Sequence, residues 1–196
     1  GISKEYPWPG GRCGWIEVYN EDRDREFKRY IRTLFDAKMV EVCATTQPQM
    51  TIPRVFSDSR YPLHLEARCA AYEKRSRQFA EAFAGLPGVQ AVRPDGAFYA
   101  TVIFDSGKLN DRQHLKVEND GARAVLDEAL SAGKTAPDKR LVLNLLASGG
   151  ICVVPITGFT SQLSGFRMTL LEQDDNKRAA TLTALRRMVE EYLASA

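Results

Sequence analysis

The positions between Leu65 and Phe83 show the most regular pattern in the chain. Mostly apolar residues recur there at alternating intervals of four and three, as Leu65, Cys69, Tyr72, Ser76, Phe79 and Phe83. Because an α-helix completes a turn every ~3.6 residues, this spacing places the six side chains on one face. The pattern predicts a long amphipathic helix, which ends where Leu86-Pro87-Gly88 introduces two helix breakers.

The chain before this helix divides into three segments. Residues 14–19 are apolar and predict a short strand, and residues 23–44 predict a helix with one apolar face. Residues 45–58 contain Pro48 and Pro53. Because proline lacks the backbone N–H that helices and sheets use, we expect this third segment to be irregular.

The chain after Gly88 predicts alternating strands and helices. The predicted strands are residues 89–92, 98–104, 151–154 and 166–171. The predicted helices are residues 121–132, with Asp120 as N-cap, residues 138–147, and a last helix capped by Asp174 or Asp175. Residues 106–119 are polar and predict an exposed loop. Helices packed on a small mixed sheet form a two-layer α/β sandwich.

Composition narrows the class of protein. The 196 residues are 44% hydrophobic and 27% charged, with a formal net charge of +2. Basic and acidic residues are interspersed, so we expect neither a nucleic-acid partner nor a membrane surface. The four cysteines lack the spacing of a metal or disulfide site and have apolar neighbours, as Cys13, Cys43, Cys69 and Cys152 show. We expect reduced, mostly buried thiols, no metal, and a cytoplasmic protein.

The first fifteen residues contain the candidate reactive side chains. Lys4 and Arg12 lie eight residues apart in a segment rich in glycine and proline. A primary amine can condense with an aldehyde, and a guanidinium can hold a phosphate through two parallel hydrogen bonds. The alternative is a surface lysine and arginine on an ordinary Gly/Pro turn.

The whole segment resembles the Ser-Lys-(x)n-Gly-x-Arg-x-Gly-Trp signature of fold type I aminotransferases of classes I and II, through Ser3, Lys4, Arg12, Gly14 and Trp15. The resemblance implies pyridoxal 5'-phosphate as cofactor. In the family the lysine binds the cofactor as a Schiff base and the arginine grips its phosphate, which implies Lys4 and Arg12 here. Ser3 would add a hydroxyl near the phosphate.

Two later segments resemble the same family. Residues 94–99, Pro-Asp-Gly-Ala-Phe-Tyr, resemble the turn and strand that open its small domain. Residues 150–170 resemble the run Gly-x-x-Val-x-Pro that ends in x-Arg-(Leu/Met)-(Ser/Thr), in which the arginine binds the substrate α-carboxylate. The resemblance implies that role for Arg167. The alternative is a surface ion pair between Arg167 and a carboxylate such as Glu172.

The resemblance covers the C-terminal portion of such an enzyme. It implies that residues 1–62 end the large cofactor domain, and that residues 63–196 form the linking helix and the small C-terminal domain. Gly1 stands where the family usually has a serine or threonine for the phosphate. The family's other cofactor residues lie upstream of the lysine. We therefore expect the isolated fragment to be inactive, and the full-length parent to be a homodimer.

The expected reaction transfers an amino group between an α-amino acid and a 2-oxo acid. Other fold type I proteins share Lys4, Arg12 and often Arg167, so a carbon–sulfur lyase and the aminotransferase-like domain of a transcription regulator stay open. A module that serves only folding or association is the third alternative.

Overall fold

The computed structural model describes all residues from Gly1 to Ala196. The chain forms two compact units, Gly1–Glu66 and Ala67–Ala196. The sequence places the domain boundary between residues 62 and 63.

The first unit is helical. Its helices are α1 (Ile2–Glu5), α2 (Arg25–Lys38), α3 (Thr46–Phe56) and the first turns of α4 (Arg60–Phe83), with single 3-10 turns at Pro9–Gly11 and Glu21–Arg23. Asp24 begins α2 by accepting a hydrogen bond from the Phe27 amide at 2.6 Å. Carboxylate capping satisfies an amide that has no partner within the helix.

Three predictions for the first unit differ from the structure. Residues 45–58 are not irregular, because Pro48 lies in the first turn of α3, where an amide has no helical partner. Pro53 lies inside α3, and the helix continues for another turn, where the Ser57 amide donates to the Pro53 carbonyl at 3.1 Å. Residues 14–19 form no strand, because no neighbouring backbone pairs with them. The predicted helix over residues 23–44 ends early, at Lys38.

The second unit contains the rest of α4 and a four-stranded sheet. Its strands are β1 (Val89–Val92), β2 (Tyr99–Phe104), β3 (Val154–Pro155) and β4 (Ser164–Thr169), and its helices are α5 (Asp120–Ser131), α6 (Pro137–Gly149) and α7 (Asp175–Ala194). The strand order is β1-β2-β4-β3, and every neighbouring pair is antiparallel. The sheet is therefore entirely antiparallel, and the predicted mixed sheet is wrong. The fold class is α/β, as predicted.

The core of the second unit lies between one face of the sheet and its helices. Along β2 the buried positions alternate, at Ala100, Val102 and Phe104, so the other residues point to the opposite face. The helices contribute the apolar side chains Phe79, Phe83, Leu141, Leu145, Leu182, Leu185, Val189 and Tyr192. The predicted face of α4 is confirmed where it enters this core.

The connections depart from the predictions in detail. Residues 106–119 are not an exposed loop, since Leu109, Leu115 and Val117 are buried and the Leu115 amide donates to the Asn144 side chain at 2.9 Å. Asn119, rather than Asp120, caps α5. The capping of α7 by Asp174 is confirmed. The cysteines are free, as expected, but the expectation that they are mostly buried is wrong, since Cys43, Cys69 and Cys152 are exposed.

Candidate functional site

Lys4 lies on the short helix α1 in the first unit. The helix is anchored by Ile2, whose side chain is fully buried and whose amide donates to the Cys13 carbonyl at 3.1 Å. This backbone bond brings the turn that carries Lys4 beside the segment that carries Arg12. Lys4 itself is exposed, and Ser3 is half-buried. An exposed amine is accessible to an aldehyde in solution or in a complex.

Arg12 follows the 3-10 turn Pro9–Gly11 in a left-handed backbone conformation, with φ 45° and ψ 52°. Such a conformation costs a residue other than glycine about 1–3 kcal/mol unless its surroundings hold it. Here the Arg12 Nη1 donates to the Pro9 carbonyl at 2.9 Å, and the Thr45 hydroxyl donates to the Arg12 carbonyl at 3.4 Å. The side chain and the backbone of Arg12 are therefore both tied within this unit.

The donors around Arg12 fit a phosphate group. Arg12 lines a cavity of about 500 Å³, whereas Lys4 does not. The other polar groups that line the cavity are Thr45, Gln49, the Gly14 backbone and the paired side chains of Lys38 and Glu41. The guanidinium uses one N–H on the Pro9 carbonyl, which leaves further N–H donors for a bidentate contact. A fixed cation beside a hydroxyl and glycine-flanked backbone is a chemically suitable phosphate site.

Arg167 lies on β4 in the second unit, on the face of the sheet that points away from the core. It stands opposite Thr101 on β2 and Val154 on β3. The Arg167 Cζ lies 4.4 Å from the ring centroid of Tyr99 and 4.1 Å from that of Phe159. Aromatic rings attract a guanidinium through the negative charge of their faces.

The guanidinium of Arg167 has no ion-pair partner within the chain. Glu172, the expected alternative partner, pairs instead with the Lys177 Nζ at 2.9 Å. The same contact lowers the pKa of the Glu172 carboxyl. Arg167 is only partly exposed, and two aromatic rings lie against its guanidinium. Its N–H groups are available to an external acceptor.

Asp138 is a buried carboxylate near this arginine. The side chain, on α6, is fully buried. It accepts hydrogen bonds from the Thr157 hydroxyl at 2.6 Å, the Thr157 amide at 2.9 Å and the Gly165 amide at 3.4 Å. The Lys139 amide donates to it at 2.8 Å. These bonds join α6 to the turn before Phe159 and to the start of β4.

A sequence profile described as aminotransferase class I and II matches residues 1–182. The match covers most of the chain. The chain belongs to the aminotransferase class I and II family. The predicted family resemblance is thereby confirmed.

Similar proteins support the same family. An uncharacterized aminotransferase of Methanocaldococcus jannaschii is 47% identical over 193 residues, which are 98% of this chain and 44% of that protein. Alanine aminotransferase 2 of Panicum miliaceum is 28% identical over 197 residues, covering 94% of this chain and 36% of that protein. The chain thus spans less than half the length of these aminotransferases.

Solved aminotransferase structures share the fold. Alanine aminotransferase from Pyrococcus furiosus matches 100% of this chain and 41% of its own, with a TM-score of 0.64 and 18% identity. None of the helices described above for the present chain is long and apolar enough to cross a membrane.

Sequence reasoning did not find Asp138 or the two rings on Arg167. The sequence shows Asp138 only as an acidic residue in the first turn of a helix after Pro137. Its partners lie 19 and 27 residues further along the chain, so no local pattern points to them. Phe159 and Tyr99 belong to the motif segments, but only the sheet register brings both to Arg167.

Proposed function

We propose that this chain is part of an aminotransferase that transfers an amino group between an α-amino acid and a 2-oxo acid, with pyridoxal phosphate as cofactor. The observation that carries this proposal is the state of Arg167. Its guanidinium stands on the outward face of the sheet beside two aromatic rings, without an ion-pair partner in the chain. A partly desolvated arginine fork is suited to a substrate carboxylate.

Pyridoxal phosphate, when bound, supplies an electron sink for the carbanion that forms at the substrate α-carbon. In our proposal Lys4 holds the cofactor through its amine and later moves the proton at the substrate α-carbon. Arg12 neutralises phosphate charge, and Ser3 adds a hydroxyl beside it. The backbone bond from Ile2 to Cys13 supports this pairing of roles, since it joins the two turns concerned.

Arg167 would bind the α-carboxylate and so orient the substrate. A bidentate contact fixes the plane of the carboxylate as well as its position. With that group fixed, the substituents of the α-carbon keep a constant direction, which is the orienting part of catalysis. Phe159 and Tyr99 would limit the space beside the carboxylate.

The names of two similar proteins favour a small amino acid as the substrate. Relatives from Panicum miliaceum and Pyrococcus furiosus are named alanine aminotransferases. We propose alanine, or an α-amino acid of similar size, as the amino donor. A cytoplasmic homodimer is the assembly that we expect for the whole protein.

Variants of Arg167 test the proposal in the whole protein. Arg167→Ala should lower kcat/KM for an α-amino acid by about two orders of magnitude or more, because removing a charged partner from a desolvated site costs about 2–5 kcal/mol. Cofactor absorption should persist. Arg167→Lys should recover only part of the loss, because an ammonium lacks the planar fork.

Glu172→Ala is the matched control. It removes the carboxylate that pairs with Lys177, outside the proposed site, and should leave steady-state kinetics unchanged. Equal kinetics for Arg167→Ala and wild type would contradict the assignment of Arg167 to substrate binding.

A further inference from the structure

We propose that Asp138 is a positioning residue that sets the orientation of Arg167 for the substrate carboxylate. The inference rests on the proposed function of Arg167. The hydrogen bonds that Asp138 accepts come from Lys139, Thr157 and Gly165, and none comes from Arg167 itself. Asp138 acts through two segments, the turn that carries Phe159 and the strand that carries Arg167.

The environment of Asp138 is built for a carboxylate. The side chain is fully buried, in the first turn of α6, where the helix dipole favours negative charge. Three backbone amides and one hydroxyl donate to its two oxygens, at distances from 2.6 to 3.4 Å. A buried carboxylate without such partners would be strongly destabilising, so each bond restrains the segment that provides the donor.

The first restrained segment is the 3-10 turn Ile156–Phe159. Both the amide and the hydroxyl of Thr157 bond to Asp138, which fixes this residue at two points. The Thr160 amide closes the turn by donating to the Thr157 carbonyl at 3.1 Å. These bonds restrain the turn that carries Phe159, whose ring centroid lies 4.1 Å from the Arg167 Cζ.

The second restrained segment is the start of β4. The Gly165 amide donates to Asp138, two residues before Arg167. A Cβ at Gly165 would lie 2.1 Å from the Val102 carbonyl oxygen, so only glycine permits this approach of β4 to β2. The register places Arg167 opposite Thr101, within reach of the Tyr99 ring at 4.4 Å.

One carboxylate thus couples the position of Phe159 to the position of Arg167. The rings occupy part of the guanidinium surface and leave the N–H groups without an acceptor in the chain. A guanidinium held in this way loses less rotamer entropy when a carboxylate binds. Asp138 would therefore influence substrate affinity more than the chemical step.

Two variants test this in the whole protein. Asp138→Asn keeps the shape but places an NH2 group or a weaker acceptor before the Thr157 donors. Thr157→Val keeps the branched shape and removes only the hydroxyl bond. We expect KM for the α-amino acid to rise on the order of tenfold in Asp138→Asn and less in Thr157→Val, with kcat nearly unchanged. Thr157→Ser should restore the wild-type KM. Asp127→Asn, on the exposed surface of α5, is the control.

A second readout is independent of activity. In the 196-residue chain the Arg167 Nε–Hε resonance, assigned through Arg167→Lys, should report restricted motion in the wild type. It should become mobile in Asp138→Asn and Thr157→Val, and stay restricted in Asp127→Asn.

The outcomes separate this inference from the proposed function. Reduced melting temperatures with unchanged KM and unchanged Arg167 mobility would make Asp138 a purely structural residue and overturn the inference, even if Arg167→Ala is impaired. If Asp138→Asn does not fold, Thr157→Val and Thr157→Ser decide by the same two readouts. Unimpaired kinetics of Arg167→Ala would instead overturn the proposed function.

Discussion

Gly11 determines how the segment between Lys4 and Arg12 is packed. It is buried, and a Cβ at this position would lie 2.7 Å from the Ile2 Cδ1 and 2.8 Å from the Trp8 Cδ2. Both neighbours hold the turn, since Ile2 is the buried anchor of α1. The absence of a side chain at Gly11 is therefore a packing requirement.

Gly11→Ala should destabilise the first unit by about 1–3 kcal/mol, because the added methyl group forces Ile2 or Trp8 to move. Urea unfolding followed by tryptophan fluorescence measures this directly, since both tryptophans, Trp8 and Trp15, lie in this unit. Gly10→Ala is the control, as a Cβ there meets no atom within 4 Å. Equal midpoints for the two variants would refute the packing argument.

Single residues were predictable where a motif carries them. Lys4, Arg12 and Arg167 were picked out by their flanking glycines and apolar neighbours, and their roles stay proposals. The role of Asp138 could not be predicted from the sequence, because it depends on hydrogen-bond donors that only the folded chain brings together.

At the scale of elements, the first turn of α7 contains the cap that begins this helix and the ion pair that joins it to α4. Asp174 accepts bonds from the Asn176 and Lys177 amides at 2.8 and 2.9 Å. Asp175 pairs with the Lys74 Nζ on α4 at 2.5 Å and with Arg178. Hydrogen bonds from Lys74 and, to a smaller extent, from Arg178 lower the pKa of the Asp175 carboxyl from 3.8 to about 2.

This depressed pKa predicts an acid-sensitive contact. A carboxyl whose pKa is lower in the folded state stabilises the fold above its unfolded pKa, and this stabilisation is lost as pH falls. For Asp175 the loss should occur between about pH 4 and pH 2. Asp175→Asn should be less stable than wild type at pH 7, and the difference should shrink toward pH 2. Thermal melts of both proteins across this range provide the measurement; a difference that does not depend on pH would contradict the account.

The periodic pattern predicted elements well where one face enters a core. The spacing from Leu65 to Phe83 gave α4, and the apolar runs gave β1, β2 and β4 within two residues. The errors have physical causes. Pro48 and Pro53 are tolerated in α3, an apolar run at residues 14–19 has no strand to pair with, and alternate residues of the 106–119 connection are buried under tertiary contacts.

At the scale of the whole molecule, the two units differ sharply in burial. Only two large apolar side chains of the first unit are buried, Ile2 and Ile31. Twelve are exposed, and they are Trp15, Ile16, Tyr19, Phe27, Tyr30, Phe35, Met39, Val40, Val42, Met50, Phe56 and Leu63. The second unit has its own core. Exposed apolar surface on this scale is typical of a region that packs against another polypeptide surface.

The 196-residue chain expressed alone should therefore bind an apolar dye such as anilinonaphthalene sulfonate strongly, and pyridoxal phosphate weakly or not at all. The chain spans 44% of the similar protein from Methanocaldococcus jannaschii, so most of such a protein is outside it. Dye fluorescence and an absorbance titration with the cofactor measure both properties. Tight binding and a stable yellow complex would show that this chain completes the cofactor site by itself.

The most direct test of the account is the identity of the lysine that binds the cofactor. The whole protein is loaded with pyridoxal phosphate, reduced with borohydride and digested, and the peptides are analysed by mass spectrometry. We predict one phosphopyridoxyl group per chain, on Lys4, and its loss in Lys4→Ala, while Lys28→Ala keeps the label because Lys28 is an exposed lysine paired with Asp22. Labelling of Lys4→Ala at the wild-type stoichiometry would contradict the assignment of Lys4 and, with it, the proposed aminotransferase site.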